Sequence, residues 1–144
     1  MLLGRIAIHA RAFKQAEKLL KRVIEIAPKF IIAWHELSNA LREQGKDEEA
    51  IVLLEKALEI DGENATTFSQ LAAAWAVAGR TAEAAKSYQK AVQIDPSLVG
   101  AYLGLGHTLK TMGDLEGGIS AYKKARKLKP NIGEISFSLS NLKT

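Results

Sequence analysis

The chain has 144 residues, of which 47% are hydrophobic and 25% are charged, a composition typical of soluble globular proteins. It has no cysteine, which excludes disulfides, thiolate metal sites and a cysteine nucleophile. No apolar run approaches the roughly 18 residues of a membrane span, and the apolar start Met1-Leu2-Leu3 is too short for the core of a signal peptide. We therefore expect a soluble cytoplasmic protein with no membrane partner.

The net charge of +4 is unevenly distributed along the chain. Residues 1–30 carry seven Lys and Arg against two acids, residues 31–106 carry six against eleven, and residues 107–144 carry seven against three. The ends are basic and the middle is acidic, and a basic end would suit nucleic acid or an acidic partner. However, the cations are spaced as on a helix surface, without the interleaved aromatic residues of RNA-binding proteins. We expect a solvated helix face and no nucleic-acid partner.

A period of 34 residues organises the sequence. Each full period contains a turn glycine, small residues that recur on both sides of it, and large apolar residues at helical spacing. The main columns are Gly45, Gly79 and Gly113; Ala16, Ala50, Ala84 and Gly118; Leu20, Leu54, Tyr88 and Tyr122; Val23, Ala57, Ala91 and Ala125; Leu3, Leu37, Leu71, Leu105 and Leu139; and Gly4, Ser38, Ala72, Gly106 and Ser140. A fixed period of this length is typical of stacked helical repeats.

Each unit is predicted to form two amphipathic helices, A and B, because apolar columns recur at three- and four-residue intervals with breakers between them. The chain starts with a truncated unit over 1–30, in which Arg11 stands at the position of the turn glycine. Full units follow over 31–64, 65–98 and 99–132, and 133–144 begins a further repeat or a capping helix. All of these are predicted to form one domain over 1–144.

The repeat over 31–64 shows the expected details. Helix A is predicted over about 32–44 and helix B over about 47–60, and Asp47, like Thr81 one repeat later, is placed to N-cap its B helix. The small residues of helix A are expected to face those of helix B so that the two backbones approach closely. Trp34 and Trp75 lie in apolar columns, which favours core packing over an exposed binding hot spot.

These columns resemble the tetratricopeptide repeat family over essentially the whole chain. The related pentatricopeptide RNA-binding repeats have a period of 35 residues, whereas the spacing here is 34 throughout. The resemblance implies an all-α, right-handed superhelical solenoid of antiparallel helix pairs. It also implies a concave groove, lined by the A helices, that binds a peptide or a partner domain.

Patterns that would support catalysis are missing from the sequence. It has no phosphate-binding loop, dinucleotide fingerprint, nucleophile elbow or H-E-x-x-H helix. His9, His35 and His107 belong to three different repeats, which argues against a metal site. We predict no catalytic residue, no cofactor and no metal, and hence a binding module and not an enzyme.

The candidate binding residues lie about one helical turn from the buried columns of each A helix. Ala73, Ala76 and Val77 would form an apolar middle, and Asn39 and Asn141 would bind the backbone of an extended segment. The alternative, that this groove packs only against the rest of its own protein, stays open. The predicted groove residues are His35, Asn39, Arg42, Ala73, Ala76, Val77, His107, Lys110 and Asn141.

Chaperone-binding members of the family use lysine, asparagine and arginine side chains to clamp a C-terminal carboxylate. The matching positions here are His35, Asn39, Gln70, Gly100 and Gly104. Only Asn39 fits the pattern, so we predict that this chain lacks a carboxylate clamp.

The C-terminal repeats carry a second resemblance. Residues 105–113 and 133–144 resemble the last repeats of bacterial proteins in which such an array precedes a sulfotransferase domain, and the ending Ser140-Asn141-Leu142-Lys143-Thr144 is the distinctive part. The resemblance implies that a catalytic domain follows residue 144 and that this chain positions a protein substrate for it. The half-repeats at the two ends also predict self-association, because an uncapped solenoid exposes apolar stacking surface.

Overall fold

A computed structural model describes the backbone of residues 2–130 and the side chains of residues 11–130. This part of the chain forms seven α-helices and no strand. They are α1 (Leu2–Ile26), α2 (Ile31–Glu43), α3 (Asp47–Ile60), α4 (Ala65–Val77), α5 (Thr81–Ile94), α6 (Val99–Thr111) and α7 (Leu115–Leu128). In repeat terms α2, α4 and α6 are the A helices, and α3, α5 and α7 are the B helices. None of the helices described is long and apolar enough to cross a membrane.

The turns between paired helices confirm the role predicted for the recurring glycines. Gly45, Gly79 and Gly113 have φ values of 76°, 83° and 89°, in the left-handed region that favours glycine. At the first of these turns the Lys46 N–H donates to the carbonyl of Leu41 at 2.9 Å, and this bond closes the end of α2. The equivalent bonds close α4 and α6.

The truncated first repeat, over 1–30, differs from the hairpin that its columns suggest. Arg11 lies inside α1, which runs without a break from Leu2 to Ile26. The physical reason is the missing glycine: a side chain at a left-handed φ costs about 1–2 kcal/mol, and α-helical φ and ψ cost arginine almost nothing.

The N-caps lie one residue earlier than predicted. Asp47 and Thr81 are the first helical residues of α3 and α5, and the cap positions are held by Lys46 and Arg80, which make no side-chain capping bond. In α7 the same column holds Asp114, whose Oδ1 accepts a 2.9 Å hydrogen bond from the N–H of Gly117. Asp47 therefore contributes favourable charge in the first turn of its helix and does not cap it.

By its internal contacts the chain divides into two compact units, Met1–Gly62 and Glu63–Thr144, which are called the first unit and the second unit below. In the first unit, α2 packs against both α1 and α3. Leu37, Leu41 and Ala50 form the buried centre, against which Leu20 and Ile24 of α1 pack. Trp34 is buried, as predicted, and its indole N–H donates to the carbonyl of Pro28 at 2.9 Å.

A buried carboxylate joins α1 to the turn between α2 and α3. Glu17 is 8% exposed and accepts hydrogen bonds from Lys21 Nζ (2.9 Å), Gln44 Nε2 (2.9 Å) and Lys46 Nζ (3.3 Å). These bonds, that from Lys21 above all, lower the pKa of Glu17 from 4.5 to about 2. The position belongs to an otherwise apolar helix face, so this carboxylate is held by its three donors.

In the second unit, α5 packs between α4 and α6, α6 packs against α7, and α4 also touches α6 directly. Its core contains Tyr88 and Leu105, and Tyr102 and Tyr122 form a second cluster. Trp75 is only half-buried, in contrast to the core position predicted for it, and the Arg80 guanidinium lies 4.9 Å from its ring centroid.

The small residues allow close packing, as predicted. Ala72 and Ala84 are fully buried. A Cβ added to Gly118 would lie 3.1 Å from the carbonyl oxygen of Gly106, so in this pair the backbones of α6 and α7 are in contact.

Candidate functional site

Eight of the nine predicted groove residues lie in the part of the chain that the structure describes, and all eight are on A helices. Asn141 lies outside it. The eight fall into two groups, three on α2 in the first unit and five on α4 and α6 in the second.

On α2, Asn39 is exposed, Arg42 is half-buried and His35 is buried. Burial lowers the pKa of His35 below its ordinary value, because it disfavours the imidazolium form more than nearby Glu36 and Asp61 favour it. His35 therefore presents a neutral ring at neutral pH. The solvent-facing residues predicted for this helix reduce to Asn39 and part of Arg42.

In the second unit, the contact between α4 and α6 places two A helices side by side. Ala73 and Ala76 on α4 are half-buried and Val77 is 63% exposed. On α6, His107 and Lys110 are exposed. The predicted groove residues of this unit thus comprise an apolar group on one helix and two polar, partly cationic groups on the adjoining helix.

Four side-chain atoms are buried without a hydrogen-bond partner in the described part of the chain. Arg42 Nε belongs to a predicted groove residue on α2, and Gln70 Oε1 belongs to one of the clamp positions, on α4. Ser38 Oγ and Gln44 Oε1 belong to the small column and to the α2–α3 turn. Each of these atoms leaves a buried polar group unpaired, which is uncommon in folded proteins.

The positions that would form a carboxylate clamp supply little positive charge. His35 is buried with a lowered pKa, and Gly100 and Gly104 have no side chain. At Gly104 a Cβ would overlap the ring of Tyr88, so a lysine or arginine at this position would first displace that ring. Asn39 is the single matching residue.

A pocket that the sequence reading missed lies in the first unit. It has a volume of about 380 Å³ and is lined from three helices, by Lys21 of α1, by Leu37 and Leu41 of α2, and by α3. The α3 residues are Glu48, Glu49, Val52, Leu53 and Lys56. Val52 is 53% exposed, and the next repeats have Lys86 and Ser120 in its column. That single apolar substitution in a polar column was the available sequence signal.

The second unit has a counterpart of about 290 Å³ at positions two repeats further on. Leu105 and Leu109 replace Leu37 and Leu41, while Ser120 replaces Val52. In both pockets one A helix, α2 or α6, lies between the helix before it and the B helix after it. The depression therefore follows from the repeat packing itself. The version in the first unit is the more apolar of the two.

Among residues with described side chains, no group of three His, Cys, Asp or Glu lies close enough together to hold a metal ion.

The family models that match this chain all describe one kind of repeat. Models described as tetratricopeptide repeats match residues 7–75 and 99–132, and one described as a TPR repeat matches residues 78–113. No curated protein matches the sequence.

Solved structures similar to the chain include MamA, at 24% identity over 90% of this chain and 76% of that one, with a TM-score of 0.82. The first TPR of Spaghetti (RPAP3), bound to an HSP90 peptide SRMEEVD, is 26% identical over 78% of this chain and 90% of that one, with a TM-score of 0.76. The second TPR domain of human RPAP3, in complex with an HSP70 peptide, is 25% identical over 78% of this chain and 94% of that one, with a TM-score of 0.74.

The fold class is the one predicted, an all-α helical-repeat solenoid. Helix order, turn glycines and family models agree on this assignment. The chain belongs to the tetratricopeptide repeat family.

Proposed function

We propose that this chain is a protein-interaction scaffold that binds an extended peptide, or an extended segment of a partner domain, along its A helices, and that it has no catalytic role of its own. The observation that carries the proposal is the contact between α4 and α6, which places half-buried Ala73 and Ala76 and exposed Val77 on the helix next to exposed His107 and Lys110. Apolar and polar side chains on adjoining helices suit an extended segment that carries both kinds of residue.

The surface chemistry supports a ligand of mixed character. Ala73, Ala76 and Val77 would take an apolar side chain, and Lys110 on the adjoining helix would favour an acidic residue nearby. Two similar structures are complexes with peptides, which makes peptide binding a reasonable expectation for this chain as well.

The test is selection of binding peptides from a random 12-residue library on the purified chain, followed by calorimetry. We expect Asn39→Ala together with Lys110→Glu to weaken the selected peptides about tenfold or more, or about 1.4 kcal/mol. Val52→Lys, in the pocket lined by α1, α2 and α3, is the matched control and should leave binding unchanged. Unchanged binding to the double variant, or loss only with Val52→Lys, would refute the assignment to the A helices.

The missing clamp gives a second measurement. The peptide SRMEEVD, the ligand in one similar structure, should show no micromolar binding to this chain, because the clamp positions hold a buried neutral histidine and two glycines. Micromolar affinity for that peptide would contradict the proposal that no carboxylate clamp exists.

The alternative function is that of a non-catalytic module that positions a protein substrate for a sulfotransferase domain. Its support is the sequence of residues 105–113 and 133–144, and the second of these stretches lies outside the described residues. The reading frame of the gene tests it. An α/β domain with a phosphate-binding loop after Thr144 is required by this alternative, and its absence would reject it.

A further inference from the structure

The pocket lined by α1, α2 and α3 lies apart from the predicted groove. Its buried residues Leu37 and Leu41 lie about 160° around the axis of α2 from Asn39. All of its lining residues belong to the first unit. Its volume of about 380 Å³ is within the range of about 300–1,000 Å³ that ligand pockets have. A ligand in this pocket would therefore leave the groove free.

Val52 in this pocket is not explained by the packing of α3. It is 53% exposed, and a lysine, which is the better helix former, stands in its column in α5. The counterpart pocket of the second unit has a serine in the same column, so repeat packing does not require an apolar residue there. Together with Leu37, Leu41 and Leu53, Val52 makes an apolar surface that reaches solvent. Such a surface suits an apolar side chain from another molecule.

Free carboxylates lie at one end of the pocket. Glu48 and Glu49, in the first turn of α3, are exposed, and neither forms a salt bridge with a described residue. Lys21, which lines the pocket from α1, already donates to Glu17 at 2.9 Å. Lys56 lines the other end, about 12 Å along the axis of α3 from Glu48. A cationic group is therefore the complement of the end that holds the two glutamates.

We propose that this pocket binds a segment of a partner protein in which a large apolar side chain packs against Val52 and a neighbouring lysine or arginine meets Glu48 and Glu49. The apolar side chain supplies the affinity, because the pocket removes it from water. The cation selects the partner and its orientation, since Lys56 would repel it at the other end. The chain would thus have a second partner, on the side of α2 that faces away from the groove.

The test is a peptide selection with subtraction. A random 12-residue library is first depleted on the variant Val52→Lys and is then selected on the natural chain. The substitution introduces the residue that α5 has in this column, Lys86, so it is compatible with the fold. Groove ligands bind both chains and are removed. We expect the remaining peptides to share a large apolar residue with a lysine or arginine within four positions of it.

Calorimetry with the remaining peptides separates the apolar contact from the charged one. Val52→Lys, and Val52→Ser as a variant without added charge, should weaken binding about tenfold or more. Glu48→Gln/Glu49→Gln should weaken it about three- to tenfold at about 0.15 M salt, and by less as salt is raised. The matched control is Glu36→Gln/Glu43→Gln, which removes two exposed carboxylates of the same unit that do not line the pocket. It should change the affinity by less than about twofold.

Two further measurements complete the comparison. Thermal melting followed by circular dichroism checks that each variant is folded like the natural chain. Asn39→Ala/Lys110→Glu should leave the affinity for these peptides unchanged. Ligands of the groove and of the pocket respond to different variants, so either proposal can fail without the other.

Three outcomes would reject this role of the pocket. If no peptide remains after the subtraction, the pocket is not a binding site for a protein segment. If the remaining peptides are acidic or uncharged, or if both pairs of glutamate substitutions have equal effects, Glu48 and Glu49 do not select the partner. If the natural chain is a dimer in light scattering and Val52→Lys is a monomer, a second copy and not a separate partner fills the pocket.

Discussion

The substitution Glu17→Gln tests how α1 is held against the rest of the first unit. Glu17 accepts three hydrogen bonds that tie α1 to the α2–α3 turn, and its pKa is lowered from 4.5 to about 2. Taken alone, such a lowering corresponds to about 3 kcal/mol of stability at neutral pH. Lys21 and Lys46 are 57% and 37% exposed, so water and salt screen much of this attraction. We therefore expect Glu17→Gln to destabilise the unit by about 1–2 kcal/mol at pH 7.

The sign of the pH dependence follows from the lowered pKa. Because the folded state binds the proton less tightly than the unfolded state, the contribution is complete above pH 4.5 and is lost as the pH falls towards 2. By pH 3 the difference in unfolding free energy between the natural chain and Glu17→Gln should shrink to less than about half its value at pH 7.

The assay is urea unfolding followed by the fluorescence of Trp34, in a background in which Trp75→Phe removes the other tryptophan. Trp34 lies in the same unit as Glu17, so its signal reports the unit in question. The control is Glu25→Gln, an exposed glutamate of the same helix, which should change stability by less than about 0.5 kcal/mol. The reasoning is refuted if Glu17→Gln costs nothing at pH 7, or costs the same at pH 3 and pH 7.

Two further predictions concern α2 and α6. His35 is buried with a lowered pKa, so the unfolded state binds the proton more readily than the folded state. The free energy of unfolding, followed by Trp34 fluorescence, should therefore fall as the pH drops below 6.5. His35→Gln should remove this pH dependence, whereas His107→Gln, at an exposed position, should leave it in place. Gly104→Ala should cost about 1–3 kcal/mol in thermal unfolding because its Cβ would overlap the ring of Tyr88. The matched variant Gly100→Ala, with open space around the added Cβ, should be neutral or stabilising by up to about 1 kcal/mol; equal effects of the two variants would show that helix propensity, and not the ring, governs the site.

Most of the fold could be predicted because its information is periodic. The turn glycines repeat every 34 residues, and the structure gives all three the same left-handed backbone. Helix α3 begins and ends where the column pattern placed it, and α2 differs from its predicted range by one residue at each end. A period repeated several times averages out the local ambiguity that limits a single segment.

The errors lie where one repeat departs from the others. The continuity of α1 follows from Arg11, which the sequence identifies as a missing glycine without showing whether the turn survives. The N-cap prediction is one residue too late because Asp47 is a favoured capping residue, whereas the residues at the N-cap positions of α3 and α5 are Lys46 and Arg80. Burial of His35 depends on contacts across helices, and helical spacing alone does not report them.

The pairing of Tyr88 with Gly104, and of Tyr122 with Gly106, affects how repeats of this chain can be recombined. Tyr88 belongs to one 34-residue period and Gly104 to the next, so the space that the large ring requires is provided by the neighbouring period. In a chimera joined between α5 and α6, the ring of Tyr88 would no longer face Gly104. Any other residue at that position would place a side chain in the space that the ring occupies. A cut in the glycine turn between α6 and α7 would in the same way separate Tyr122 from Gly106, so α5, α6 and α7 should be transferred together in a hybrid array.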